Sequence, residues 1–227
     1  MSIRSSTDGR QQSRESVLQS VPAHGALRQA DDQRTAMVPL DFLHDLRLAL
    51  GPDFGDGARH LLYCTGFDWS LRDMARLGQR LRDELGRGNL DLWQMEAKFV
   101  LDAWWEPLAA AGWGACRFSA LPHGLMLAEL TASAPATACR ESVESAASPP
   151  TVPTCDLCAG LFAGALSFFE RAERHAVEVQ CAALGDPVCV FITGAPFYID
   201  KIETWPRQGL TLDEIRRRTA ALPDAPA

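Results

Sequence analysis

The sequence has no hydrophobic run approaching the ~18 residues needed to cross a bilayer. Its opening stretch, MSIRSSTDGRQQSRES, holds no apolar signal core. The expectation is therefore a cytoplasmic chain with reduced thiols and no membrane span. Positive charge is in deficit: 22 Lys and Arg face 29 Asp and Glu, a net charge of −7. Nucleic acid is not an expected partner, because affinity for it comes from neutralising phosphates. Anionic lipid is disfavoured for the same reason. Catalytic signatures are missing as well. There is no GxSxG elbow, no Walker GxxxxGK[ST] motif, and no Gly-rich nucleotide loop after a strand. The five histidines show no metal-ligand spacing, and Gly51-Pro52-Asp53-Phe54-Gly55-Asp56-Gly57 reads as a turn. A binding or accessory protein is expected rather than an enzyme.

What is abundant is material for a core. The 227 residues are 47% hydrophobic and 22% charged, enough for one generous domain. Residues 1–35 are polar and lack apolar periodicity, so they read as a disordered tail. The domain proper is expected over 36–200. Leu40, Phe42, Leu43, Leu46 and Leu50 form a helical stripe stopped at Gly51-Pro52. A second helix fits Asp56 to Thr65 with Gly66 as its stop, and a third carries Leu77, Leu81 and Leu85. Asn89 would cap the longest helix, Leu90 to Ala111. Strands follow on either side of Pro122-His123-Gly124. Residues 131–153, rich in Ala, Ser, Thr and Pro, read as a flexible internal loop. Beyond it come a helix from Cys155 to Arg171, a strand His175 to Ala182, a tight Leu184-Gly185-Asp186-Pro187 turn and a strand Val188 to Thr193. In the extension, 201–227, Thr211-Leu212-Asp213-Glu214 has a capping-box pattern, with an apolar face thin enough to suggest weak docking.

Seven cysteines are an odd number, and four of them fall within 35 residues: Cys155, Cys158, Cys181 and Cys189. Cys181 and Cys189 flank a hairpin turn, so their side chains can lie together on adjacent strands. With Cys155 at a helix start and Glu178 nearby, three thiolates and one carboxylate suit four-coordinate zinc. The spacing is that of no ordinary zinc finger, and burial as small apolar side chains explains the same residues. Glu178 and Cys181 are an odd number of positions apart, so an ideal strand points them to opposite faces. A shared metal requires a bulge or a strong twist near Val179-Gln180. Cys155-Asp156-Leu157-Cys158 is also a CxxC, which leaves open Cys158 in place of Glu178, or a redox pair.

These residues carry a resemblance. Cys155, Gly160, Gly164, Glu178-Val179-Gln180-Cys181 and Gly185-Asp186-Pro187-Val188-Cys189-Val190-Phe191 are similar to the V4R domain, named for its vinyl-4-reductase association. Leu62-Tyr63-Cys64-Thr65-Gly66 and Ala111-Gly112-Trp113-Gly114 stand where that family has its "LY…G" and "GWG" segments, so the resemblance spans roughly 36 to 196. It implies an α/β (α+β) domain, an antiparallel sheet packed with helices and similar to vesicle-tethering and haem-based nitric-oxide-sensing domains, and a dimer formed with itself. It also implies a structural zinc held by Cys155, Glu178, Cys181 and Cys189, with Cys158 a bystander. In aromatic-sensing relatives that site lies beside a ligand pocket. A Trp- and His-containing segment precedes the first zinc cysteine there, and this sequence has neither residue in that place.

Three roles are compatible with the resemblance. The first is a non-enzymatic domain that binds a small hydrophobic or planar molecule and acts as sensor, carrier or scaffold for a protein partner. The second is an accessory role in bacteriochlorophyll synthesis, at tetrapyrrole vinyl reduction. No flavin or nicotinamide fingerprint is present, so holding a tetrapyrrole is more credible than reducing one. The third is a scaffold in a bacterial cellulose-synthesis system. Phe99, Trp104, Trp105 and Trp113 are the candidate pocket wall, although core packing explains aromatic residues at such positions equally well.

Overall fold

Strand β1 (Leu18–Val21), β2 (Ala26–Gln29) and β3 (Arg34–Thr35) form a small antiparallel sheet in order β1-β2-β3. They are seen in a computed structural model that describes residues 18–21, 26–29, 34–86, 88, 91–143 and 150–224. The stretch expected to be wholly disordered therefore contains strands. Each has four residues or fewer, too short for a period-two pattern to stand out in a polar sequence. The rest of the tail lies outside the described residues. Met1–Met37 and Val38–Ala227 are separate compact units.

The second unit begins with α1 (Leu40–Phe54) and α2 (Asp56–Glu84). Helix α1 runs past the expected stop and ends at Gly55, whose φ of 51° is left-handed. Two short helices were expected over Asp56–Leu85; one 29-residue helix is found. Gly66 is not a stop but an interior contact. A Cβ there would sit 2.2 Å from the Leu157 carbonyl oxygen of α5 (Asp156–Glu170). From α5, Gly160 and Gly164 answer with equally close approaches to the Tyr63 and Phe67 carbonyls. Backbone meets backbone along this seam, so glycine is required by the neighbouring helix rather than by its own φ/ψ.

After a 3-10 turn at Leu92–Gln94 comes α3 (Ala97–Ala110), later than the expected start at Leu90; Asn89 and Leu90 lie outside the described residues. Strands β4 (Ala115–Leu121) and β5 (Leu125–Thr131) pair as an antiparallel hairpin, as expected. The supposed loop 131–153 contains α4 (Ala134–Val143), so that expectation is corrected. Its Ala- and Thr-rich sequence disguises it as linker, but Ala134, Ala136, Ala138 and Cys139 face inward. Following α5 come β6 (His175–Gln180), β7 (Cys189–Gly194), α6 (Pro196–Ile202) and α7 (Leu212–Ala220). The capping box at Thr211 and Glu214 is formed. Contrary to the expected weak docking, α7 buries Ile215 completely.

The four-stranded sheet has order β4-β5-β7-β6 and is antiparallel throughout. One face, with Phe118, Ala128 and Phe191, packs against α3 and α5. The other, with Leu125, Leu127, Val190 and Ile192, packs against α6 and α7. Strand β7 is buried on both faces, which explains its unbroken Val190-Phe191-Ile192 run.

Candidate metal centre

Three elements converge on one buried point. Cys155 is the N-cap of α5, Glu178 and Cys181 lie in and just after β6, and Cys189 opens β7. The register of β6 against β7 shifts between Glu178 and Gln180, which is a bulge of the kind a shared site can use. It turns Glu178 and Cys181 to the same side. One ligand atom from each of Cys155, Glu178, Cys181 and Cys189 lies within 4.8 Å of all the others. The three sulfurs are fully buried and Glu178 is 5% exposed. Cys158, also fully buried, is not a member of the cluster. The geometry thus brings together the four residues taken from the resemblance and leaves Cys158 aside.

The donor set fits a divalent metal by three observations. The Cys155 and Cys189 sulfurs are 3.7 Å apart, and two thiolates about 2.3 Å from a zinc at the tetrahedral angle are separated by about 3.8 Å. A disulfide would need about 2.05 Å, and the cysteines are free. Glu178 Oε2 accepts from the Cys155 backbone N–H at 3.0 Å, while Oε1 is buried without a partner. An orphaned carboxylate oxygen in an apolar interior is costly, and a cation removes that cost.

Titration tells the same story. Burial, then the neighbouring Cys181 charge, pushes the Glu178 carboxyl well above its usual range. Burial, then a hydrogen bond to Cys181, does the same to the Cys155 thiol. Cys181 moves the other way, because the Cys155 and Cys189 thiols both donate to it. One thiolate is thus supported by its neighbours, and the next ionisation is opposed. A divalent cation is what allows all four groups to ionise together.

Several supporting residues had no signal in the sequence. Ser133 Oγ lies 3.3 Å from Cys155 Sγ, and Thr154 Oγ1 lies 3.6 Å from Cys181 Sγ. The Ala182 N–H donates to Cys189 Sγ at 3.3 Å, and the Cys181 N–H donates to Asp186 Oδ2 at 2.7 Å. Arg59 of α2 donates to both oxygens of Asp156, at 2.8 and 3.2 Å, beside Cys155 at the start of α5. An acidic residue in the first turn of α5 was visible in sequence; its cation, 97 positions away, was not.

The aromatic candidates separate. Trp104 and Trp105 are each 2% exposed and surround Phe162, with ring centroids 6.5 and 5.1 Å from it. Phe118 and Phe191 complete this cluster. Trp104 Nε1 donates to Asp73 and Trp105 Nε1 to the Gly114 carbonyl. Trp113 is half-buried at its edge, whereas Phe99 is 53% exposed on the outer side of α3. A separate small cavity lies between α1, α2, α4 and α5, lined by Leu43, His44, Arg47, Leu62, Cys139 and Leu157 among others. No described helix is long and apolar enough to cross a membrane.

Comparisons with known proteins place this geometry. No curated protein sequence matches the chain. The fold is similar to the phenol-responsive sensory domain of the transcription activator PoxR, crystallised with phenol. That likeness has a TM-score of 0.61 at 17% identity, and covers 92% of this chain and 93% of that one. A vinyl-4-reductase family protein from Methanocaldococcus jannaschii aligns at TM-score 0.43 and 14% identity, over 70% of this chain and 83% of that one. A trafficking protein particle complex subunit 3 from Naegleria fowleri, covalently bound to palmitic acid, aligns at 0.47 and 10%, over 68% and 90%. Residues 136–195 match the family description "V4R domain", and this stretch contains all four members of the cluster. That match covers 60 of the 227 residues, and the likeness of the chain as a whole is one of fold.

Proposed function

We propose that this chain is a non-enzymatic, small-molecule-responsive V4R domain whose fold is pinned by a structural zinc, and that it signals to, or delivers for, a protein partner. The observation that carries the reading is the buried set of three sulfurs and one carboxylate with an orphaned Oε1. All four positions of a tetrahedral ion would be filled by protein, leaving none for a reacting water, so the metal's work is to hold the β6–β7 hairpin to α5. Among the candidate ligands, an apolar molecule of modest size is favoured over a planar macrocycle. Trp104, Trp105 and Phe162 already fill the space between α3, α5 and the sheet with one another. The PoxR domain's phenol is a precedent for size, while the segment before Cys155 lacks the Trp and His of aromatic sensors and argues for a different polar contact.

Self-association belongs to the same reading. Phe42, Leu46, Leu48 and Phe54 of α1 and Leu61 of α2 are all exposed, with Phe42 and Leu46 one turn apart on the same face of α1. A homodimer would cover it, and light scattering on the purified chain distinguishes one copy from two.

Metal analysis and denaturing mass spectrometry test the core of the proposal. Purified protein is expected to carry one zinc per chain, and Cys181→Ser or Cys189→Ser to lose it and unfold more easily. A wild type that is fully folded without metal rules the zinc out. A recurrent small molecule released on denaturation supports the sensor or carrier role; protein that repeatedly releases none points to a scaffold instead.

A further inference from the structure

Ser133 stands beside Cys155, the member of the Cys-x-x-Cys pair that belongs to the cluster. Its residue is 1% exposed and its Oγ is 3.3 Å from Cys155 Sγ. The backbone holds it there firmly. Ala132, just before it, has a φ of 53°, a left-handed conformation that a residue with a side chain adopts only under constraint. Its own carbonyl accepts from the Thr137 N–H at 2.8 Å, and the next N–H, of Ala134, donates to the Trp113 carbonyl. The hydroxyl position is therefore set by the β5–α4 connection and not by a free rotamer on an open loop.

A hydroxyl has one hydrogen to give and lone pairs to receive. A metal-bound sulfur is a thiolate and only accepts, so the hydroxyl must then donate to it. In this fold, Cys155 is the sulfur inside the four-residue cluster and Cys158 the one outside. A divalent metal with three thiolates and one carboxylate carries two surplus negative charges in a fully buried site. Donors directed at the sulfurs are the available compensation, and the Ser133 hydroxyl is the one on Cys155.

We propose that Ser133 is a positioning residue of this centre: its hydroxyl donates to Cys155 and strengthens metal binding there. The proposal rests on the reading of the cluster as a metal site. Outer-shell partners of this kind are worth about 10- to 100-fold in metal affinity.

The test uses the full chain loaded with zinc or with cobalt(II) as a coloured substitute. Zinc affinity is measured by competition with a chromophoric chelator, and the cobalt–thiolate charge-transfer band by absorption. Ser133→Ala is expected to weaken zinc about 10- to 100-fold. It should also move the charge-transfer band to lower energy, because a thiolate that loses a hydrogen bond gives up its electrons more easily. Ser133→Thr, which keeps the hydroxyl, should restore both. Cys158→Ala should still bind one cobalt with an unchanged four-ligand spectrum. If Ser133→Ala matches wild type in both affinity and band, the role of Ser133 is refuted while the metal site stands. If Cys158→Ala loses the cobalt, Cys158 is itself a ligand and the assignment falls. If the wild type binds neither ion, the cluster is not a metal site and the proposal falls with it.

Discussion

Substituting Gly160 by alanine decides whether the α2–α5 seam is built as described. In a helix interior, glycine to alanine ordinarily stabilises by about 1 kcal/mol, because alanine loses less backbone entropy. At Gly160 the added Cβ would lie 2.0 Å from the Tyr63 carbonyl oxygen, 2.8 Å from its carbon and 2.9 Å from the Phe67 nitrogen. Those are backbone atoms of another helix, which no rotamer change can move. Ordinary contact begins near 3.4 Å, so the two helices must part by more than 1 Å along a seam where Gly66 and Gly164 are equally tight. Overpacking of a core costs about 1–3 kcal/mol, occasionally more, and this contact lies at the severe end. The clash outweighs the propensity gain, leaving a net loss of about 2–3 kcal/mol, or roughly 4–12 °C in Tm for a domain of this size. The assay is thermal unfolding followed by far-ultraviolet circular dichroism. Gly51→Ala, also within a helix but with nothing within 4 Å of its Cβ, is the control and should be neutral or stabilising. A Gly160→Ala protein as stable as the Gly51→Ala control would refute the close approach of α2 and α5.

Other consequences follow from the same structure. In the metal-free protein, Glu178 is held well above its ordinary 4.5 by burial and by Cys181. Its folded state therefore favours the neutral form, so this group's contribution is complete below pH 4.5 and is lost as pH rises towards the elevated folded value. This group should lower the metal-free Tm as pH rises above 4.5, and Glu178→Gln should remove that component. An unaltered slope in the variant would assign the pH dependence to other groups. Metal loading reverses the sense, because binding requires the ionised carboxylate and thiolates, so bound metal should be released on acidification. Truncating the fully buried Ile215 to alanine should cost about 2–5 kcal/mol if α7 is integral to the second face of the sheet. A loss under about 1 kcal/mol, as for a surface position, would mean that α7 docks only loosely.

Legibility in the sequence tracked the range of the interactions. Helix α5, the hairpin strands and the capping box at Thr211 are each written in consecutive residues, and they appear within a few positions of where they are expected. An irregularity at Val179-Gln180 was deducible because Glu178 and Cys181 could share an ion only through a bulge or a strong twist, and the register shift is the former. Errors arose where a residue's meaning lies in a distant neighbour. Gly66 reads locally as a helix stop, yet its role is set by Leu157, 91 positions later. Helix α4 reads as linker because alanine and threonine say nothing about what covers them, and the inward residues Ala136, Ala138 and Cys139 become visible only once packed. Ser133, Thr154 and Arg59 were invisible for the same reason: a polar side chain acquires a role when the fold supplies its partner.

The placement of the cluster also bears on how such a domain can vary. All four candidate ligands fall in the contiguous stretch 136–195, on α5, β6 and β7. The aromatic side chains of the first core come largely from elsewhere: Trp104 and Trp105 from α3, Phe118 from β4, with Phe162 of α5 at their centre. Helix α5 and strand β7 are thus common to both, α5 presenting Cys155 at its N-terminus and Phe162 two turns further along, and β7 carrying Cys189 and Phe191. Residues of α3 and β4 can be exchanged without removing a metal ligand, whereas any displacement of α5 alters the Phe162 contacts and the Cys155 position together. A small molecule that displaced Phe162 would consequently act on the same helix that a metal in the cluster would hold at its start. That helix is clamped to α2 by glycine contacts and the Arg59–Asp156 pair. A change in the aromatic cluster would therefore pass to α2 through α5, and the metal would serve as the fixed end against which α5 moves.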